Sequence, residues 1–293
     1  MSSKNSRIMV PVDFGEQSLI ALEQSFNLAR LTRSDLILIN VIDEDFLKPF
    51  QDMVSAKHRY EEHLRDAVTT RLKELAVQTT GKTGIHVERI TRTGKIYAEI
   101  VAAAEEFDVS LIIMGTQGPI GLKKRFLGSN ASRVVREAAC PVITIKGKHH
   151  RTGCRHILLP LDLTSETKEK VNKAIELATL FGSVIHIVTI IDTEDEFLVN
   201  KLIRQMDQVR NFIENADVTC TAEFIQSPDV PESVLEAARR INADLIMIMT
   251  QQETGFTEFF LGSAAQEIIN NSEVPVLSIR PQVKKDNTVF VIS

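Results

Sequence analysis

The chain reads as short apolar runs separated by amphipathic stretches. Residues 7–12 (RIMVPV) form one such run, closed by Asp13, and residues 35–41 (DLILINV) form a second. Both have the unbroken hydrophobicity of strands covered on two faces. Between them, Leu19, Leu22, Phe26 and Ala29 recur at a helical period over residues 17–31. A polar, helix-prone stretch from about 50 to 76 offers Val54, Leu64, Val68, Leu72 and Leu75 as inward positions, and a break at Gly81–Gly84 precedes a third strand at 85–90. A helix over about 97–107, a fourth strand at 111–114, a helix over about 129–139 and a fifth strand at 141–145 follow. Strands alternating with helices predict an α/β fold built on a parallel sheet with helices on both faces.

The pattern then starts again. HILLPLD at 156–162 repeats RIMVPVD at 7–13, so that Asp162 follows Asp13 by 149 residues. SVIHIVTIID at 183–192 overlays SDLILINVID at 34–43 at the same offset. Further on, FLGSAAQEIINNSEVPVLSIR at 260–280 matches FLGSNASRVVREAACPVITIK at 126–146 at an offset of 134. The lost 15 residues fall between the second and third strands, which shortens the second copy's long helix to about 196–215. A duplication at this length predicts two tandem domains, 1–147 and 155–293, joined by a polar linker at about 147–155. The tail carries a further candidate strand at 288–292.

Composition narrows the function classes. A hydrophobic content of 43% and a charged content of 25% are those of a globular chain. The net charge of −5 gives no reason to expect general binding to nucleic acid or membrane. It conceals an asymmetry: residues 1–150 hold 21 basic against 18 acidic residues, +3, and residues 151–293 hold 13 against 21, −8. Three cysteines without a C-x-x-C pair argue against a disulfide framework or zinc, and no apolar run approaches the ~20 residues of a membrane span. The expected location is the cytoplasm. Scattered histidines offer no metal set: His149 and His150 fall in the linker, His58 and His63 on the long helix without an evident partner, and His186 in an apolar strand as a core or interface residue. No nucleophile–base pair is evident, so no catalytic residue is assigned.

The candidate chemistry lies at GTQGPIGLKKRFLGS, residues 115–129. An apolar strand ends in Gly115, with Gly118 three residues on and Gly128-Ser129 opening the next helix. Glycine at a strand end permits φ > 0 and close approach of backbone to a ligand. A Gly-Ser helix start offers free N–H groups, a hydroxyl and the positive end of the dipole to a phosphate. Lys123, Lys124 and Arg125 add positive charge. Ligands of open parallel sheets bind beyond the carboxyl ends of strands where strand order reverses, which brings Asp13 and Val41 to the same crevice if the first and fourth strands are neighbours. Structural readings stand beside these: Asp13 serves equally as a turn or capping residue, Ser129 as a helix N-cap, and the basic run as a solvated loop.

Gly115, Gly118, Gly128 and Ser129 carry a resemblance. They match the G-x-x-G-x9-G-[S/T] motif of the ATP-binding universal stress proteins, and the whole chain resembles two copies of that family's domain fused head to tail. The resemblance implies two doubly wound domains, each a five-stranded, mainly parallel sheet in the order 3-2-1-4-5. It implies that Asp13 and Val41 hold adenine, that Gly115 to Gly118 approach ribose and phosphates, and that Gly128, Ser129 and Asn130 bind the phosphate chain with Mg²⁺. The full implied set is Pro11, Val12, Asp13, Val41, Met114, Gly115, Thr116, Gln117, Gly118, Gly128, Ser129 and Asn130, with ATP, or else ADP or AMP, as ligand.

The second copy departs from the motif. Met249 replaces Gly115, Gln252 replaces Gly118, and Lys123-Lys124-Arg125 becomes Thr257-Glu258-Phe259, while Asp162, Gly262 and Ser263 remain. Methionine would intrude on ligand space and resist φ > 0, and the lost charge disfavours polyphosphate, so nucleotide is expected in the first domain only. The expected function is that of a nucleotide-binding stress-response signalling protein, with at most slow ATPase activity. The alternative is a pseudo-dimeric scaffold. The resemblance further implies that the two domains pair through their last strands, around Ile143 and Leu277, with further homodimerisation and an unidentified protein partner open.

Overall fold

A computed structural model describes residues 6–50, 54–116, 128–147, 153–161, 167–252, 259–260 and 262–281. In the first half, β1 (Arg7–Pro11), β2 (Asp35–Asp43), β3 (Val87–Gly94), β4 (Leu111–Gly115) and β5 (Val142–Ile145) alternate with α1 (Glu16–Thr32), α2 (Val54–Thr83), α3 (Ile96–Glu106) and α4 (Ser129–Glu137). The second half repeats them as β6 (His156–Leu161), α5 (Thr167–Phe181), β7 (Val184–Ile191), α6 (Glu196–Glu214), β8 (Cys220–Gln226), α7 (Val230–Arg240) and β9 (Leu245–Met249). A short hairpin, β10 (Gln251–Gln252) with β11 (Phe259–Phe260), leads to α8 (Ser263–Asn271) and β12 (Val276–Ile279). The linker residues 148–152 and the candidate tail strand at 288–292 lie outside the described residues.

The elements match the sequence pattern except around the long helix. A 3-10 segment occupies Glu44–Phe50, and α2 starts only at Val54 but runs on through Gly81 to Thr83. The third strand therefore begins at Val87 rather than 85. Nothing within 4 Å would meet a Cβ at Gly81, so that glycine sits in an open helical position and does not interrupt the helix.

All the principal strands join one ten-stranded sheet in the order β3-β2-β1-β4-β5-β12-β9-β6-β7-β8. Each half has the expected 3-2-1-4-5 order and is parallel throughout. At the seam, β12 runs antiparallel to β5 with Leu277 opposite Ile143, the pairing that the resemblance implied. Two apolar cores cover the sheet. One lies under α1, α2, α5 and α6, the other under α3, α4, α7 and α8, and both run across the seam. Basic residues just past the last strand of each half lock the seam reciprocally. Lys146 Nζ donates to the Asn270 carbonyl of α8, and Arg280 Nη1 donates to Glu137 O of α4 at 3.0 Å. Each cation thus stands at the C-terminal, negative end of the other half's helix.

Cys140, Cys154 and Cys220 are free thiols, and burial pushes Cys140 and Cys220 up to about 11. His58 finds Glu62 at 3.3 Å one helical turn away, a partner the sequence did not reveal. His186 is partly exposed rather than a core residue. Its Nε2 lies 2.9 Å from His156 Nδ1 and its Nδ1 lies 2.7 Å from Thr221 Oγ1. Burial first, and His156 second, lowers its pKa from the usual 6.5. The unfolded chain therefore takes up the proton first, so the stability contributed by this pair is complete above pH 6.5 and is lost as pH falls through the lowered value. The urea midpoint should accordingly fall between about pH 7.5 and about pH 5.5, and less so in His186→Asn. Equal pH dependence of the two proteins would remove the pair from the account.

Candidate nucleotide site

The crevice arises from a proline. β1 pairs with β4 only at Ile8↔Leu111 and Met9↔Ile112, although β1 continues to Pro11. Proline has no N–H to extend the ladder, so the two strands part at the point where strand order reverses. Pro160 does the same in the second half, where β6–β9 pairing ends at Leu158↔Ile246.

Beyond Pro11 the backbone is fixed. Val12 N–H donates to Ile39 O at 2.8 Å, and Asn40 Nδ2, buried, donates to Val12 O at 2.7 Å. Val12 itself is buried, so its side chain belongs to the core and not to the crevice. Asp13 is exposed. Its Oδ1 accepts from Gly15 N–H at 2.8 Å and from Ser18 Oγ at 2.6 Å, which realises the turn-and-cap reading with one oxygen. Among the described residues Oδ2 has no hydrogen bond, so the ligand reading retains the other. The next residue, Phe14, is left-handed at φ 63°, unusual for a bulky side chain, with the Arg71 guanidinium 4.4 Å above its ring.

Val41 and Met114 share one apolar face with Ile96 and Tyr97, Val41 half-buried and Met114 buried. Gly115 corrects the sequence reading. It is not among the glycines with positive φ. A Cβ there would stand 2.8 Å from the Gln17 carbonyl carbon and 2.9 Å from Gln17 Cβ and O. Glycine is required because the first turn of α1 lies directly on it.

Thr116 is buried, and its N–H and Oγ1 both donate to Ile145 O, at 3.1 and 3.3 Å. Its carbonyl accepts from Gly128 N–H at 2.9 Å, so the two ends of the glycine loop are tied together. Thr250 repeats the bonds to Ile279 O, so in both halves this threonine pins the end of the fourth strand to the end of the fifth. Gln117, Gly118 and the Lys123–Arg125 run lie outside the described residues.

Gly128, not Ser129, is the N-cap of α4; Ser129 is the first helical residue, and no side chain caps this end. Ser129 is exposed and Asn130 half-exposed. The first-turn N–H groups have no intrahelical acceptors, and no acidic residue stands among them. Such an end suits a phosphate by hydrogen bonding and by dipole.

The second crevice is built differently, and not by Met249. That side chain is buried in the apolar core beneath α5, so the expected intrusion into ligand space does not occur. The position of Ala21, however, is taken by Lys170, which is 3% exposed and donates from Nζ to Pro160 O at 2.6 Å. A buried ammonium reaches the strand end that borders the crevice. Thr189 replaces Asn40, and its buried hydroxyl has no partner among the described residues. Asp162 lies outside the described residues. Asn40, Lys170 and the α1 contact on Gly115 escaped the sequence reading. The 149-residue offset aligns the first two with Thr189 and Ala21, and it was the available signal.

Comparison with known proteins agrees with this architecture. The universal stress protein family matches residues 4–146 and again 153–280. A universal stress protein of Methanocaldococcus jannaschii is 31% identical over 162 residues, which are 51% of this chain and 99% of that protein. One from Bacillus subtilis is 27% identical over 146 residues, 48% of this chain and 99% of its own. Among solved structures, a universal stress protein from Archaeoglobus fulgidus superimposes with a TM-score of 0.76 at 21% identity, covering 95% of this chain and all of that one, and so shares the fold.

Proposed function

Because the chain belongs to the universal stress protein family, in two tandem copies, we propose that it is an adenine-nucleotide-binding protein of the stress response whose first domain alone holds the ligand. The observation that carries this is the uncapped start of α4, free of acidic residues, pinned through Gly128 to the strand end that borders the crevice. Asp13 Oδ2 would meet the base or ribose, and Val41 and Met114 would give the base its apolar wall. The N–H groups after Gly128, with the Ser129 hydroxyl, would take the phosphates of ATP, and Mg²⁺ would balance the phosphate charge. Lys170, whose buried ammonium reaches the strand end bordering the second crevice, supports the asymmetry, since the buried Ala21 puts no such group beside the first crevice.

The protein's own groups supply binding rather than turnover. No nucleophile–base pair stands at this site among the described residues, and any hydrolysis is expected to be slow. Among the described residues no helix is long and apolar enough to cross a membrane, and the free thiols suit the cytoplasm we assign to it.

Native mass spectrometry and calorimetry should find one ATP per chain. Two equivalents would refute the asymmetry, and no binding of ATP, ADP or AMP at millimolar concentration would refute the nucleotide reading. The seam favours the second reading in that event, a scaffold whose two halves form one continuous sheet.

A further inference from the structure

Arg133 stands one turn inside α4 and lies over the ring of Tyr97 in α3, its guanidinium carbon 4.5 Å from the ring centroid. Helical side chains point back toward the N-terminus of their own helix, so this stacked guanidinium is directed to the end at which α4 starts. Tyr97 belongs to the same apolar face as Val41 and Met114. Stacking engages the flat face of the guanidinium. Its N–H donors lie in the plane of the group, in the fork that matches phosphate oxygens, and among the described residues none of them makes a hydrogen bond. Arg133 is exposed, and among the described residues no carboxylate pairs with it. Lys95 precedes α3 at the same end of the sheet and makes no side-chain cap. Glu99 is the acidic residue in that helix's first turn, and its side chain folds back against Gly94.

The second domain again supplies the comparison. At the 134-residue offset, Arg133 becomes Glu267, Tyr97 becomes Pro231 and Lys95 becomes Asp229. Asp229 caps α7 by accepting from Glu232 N–H at 3.0 Å. The same pair of helices is therefore assembled without the arginine, the tyrosine or the lysine, and with the charge reversed. A clasp between the helices is not what the fold requires at these positions.

We propose that Arg133, held flat by Tyr97, is a specificity-determining residue of the first-domain site, selecting nucleotides with a di- or triphosphate chain over the monophosphate. This rests on the nucleotide reading above and assigns to it a residue outside the glycine motif. The base and the first phosphate are held by the crevice and the helix end, and Arg133 meets the charge farther along the chain. Lys95 adds long-range attraction.

Calorimetry of the full-length protein with Mg-ATP and with AMP tests this in wild type, Arg133→Gln, Arg133→Lys and Tyr97→Leu. Arg133→Gln should weaken ATP about tenfold, as the loss of a charge-assisted hydrogen bond does, and AMP by less than about twofold. The wild-type preference for ATP should shrink as salt is raised, and the variant's should change less. Arg133→Lys, which keeps the charge but loses the stacked fork, should fall between them, and Tyr97→Leu should follow it. An ATP/AMP ratio unchanged in Arg133→Gln, whatever happens to its melting temperature, would overturn the assignment and leave a surface clasp. Wild-type binding of neither nucleotide would overturn the nucleotide reading and this inference with it. Wild-type binding of both with an unchanged ratio in the variant overturns this inference alone.

Discussion

Gly115→Ala is expected to lower the melting temperature clearly and to abolish nucleotide binding, although it adds only one methyl group. The added carbon would stand 2.8–2.9 Å from the backbone and Cβ of Gln17, inside van der Waals contact and against atoms that no rotamer change can move. Either β4 or the first turn of α1 must shift. Overpacking of this kind costs about 1–3 kcal/mol, which for domains of this size is a fall of roughly 2–10 °C. Binding suffers separately, because Asp13 is held by Gly15 and Ser18 of the same turn and moves with it. Gly81→Ala is the control, with nothing near its added carbon and a helical backbone that alanine favours by about 0.5–1 kcal/mol. Thermal scans and calorimetry on both variants check the prediction. If Gly115→Ala melts with the wild type, the close contact does not govern the position.

The largest effect is expected at the seam. Leu277 is 2% exposed in the middle of β12 and faces Ile143 across the antiparallel pair. Leu277→Asp places a carboxylate where nothing solvates it, at several kcal/mol, out of a total stability that for domains is typically about 5–15 kcal/mol. The substitution should open the pairing of β5 with β12 or unfold the second half. Hydrogen exchange would show this as lost protection of the amides in both strands, with a lower urea midpoint. Leu277→Met, which nearly conserves volume, should cost less than about 1.5 kcal/mol. Retained protection at β5 and β12 in the aspartate variant would mean that the halves are held mainly elsewhere, for example by Lys146 and Arg280 on the opposite helix ends. The same measurement bears on the scaffold reading, which depends on the halves acting as one body.

Much of the fold was legible because its signals are local or repeated. A run such as DLILINV needs no knowledge of its neighbours to read as a buried strand, and the repeat offsets of 149 and 134 expose the duplication and its shortened helix. The seam was expected from the family resemblance rather than from the residues themselves, and the apolar last strand of each copy gives it a physical reason, since such an edge must be covered. The site was half legible. Gly128 and Ser129 open a helix as expected, yet which of them caps it depends on backbone angles that composition does not fix. Pro11 could be read as a chain feature, but not as the residue that ends the β1–β4 ladder, because that requires knowing which strand lies beside it.

The sequence by itself determined the strand–helix alternation, the two copies and the candidate loop, since each of these is written in residues that are neighbours or exact repeats of one another along the chain. The tertiary structure alone decided why Gly115 must be glycine, where Met249 and Lys170 direct their side chains, and that Arg133 rests on Tyr97. These are contacts between residues brought together only after the sheet has formed. Gln17 and Gly115 are distant in sequence, and their approach is set by how closely α1 packs on β4. A glycine that spares a neighbouring helix and a glycine that admits a ligand are the same letter in the sequence, and only packing distinguishes them.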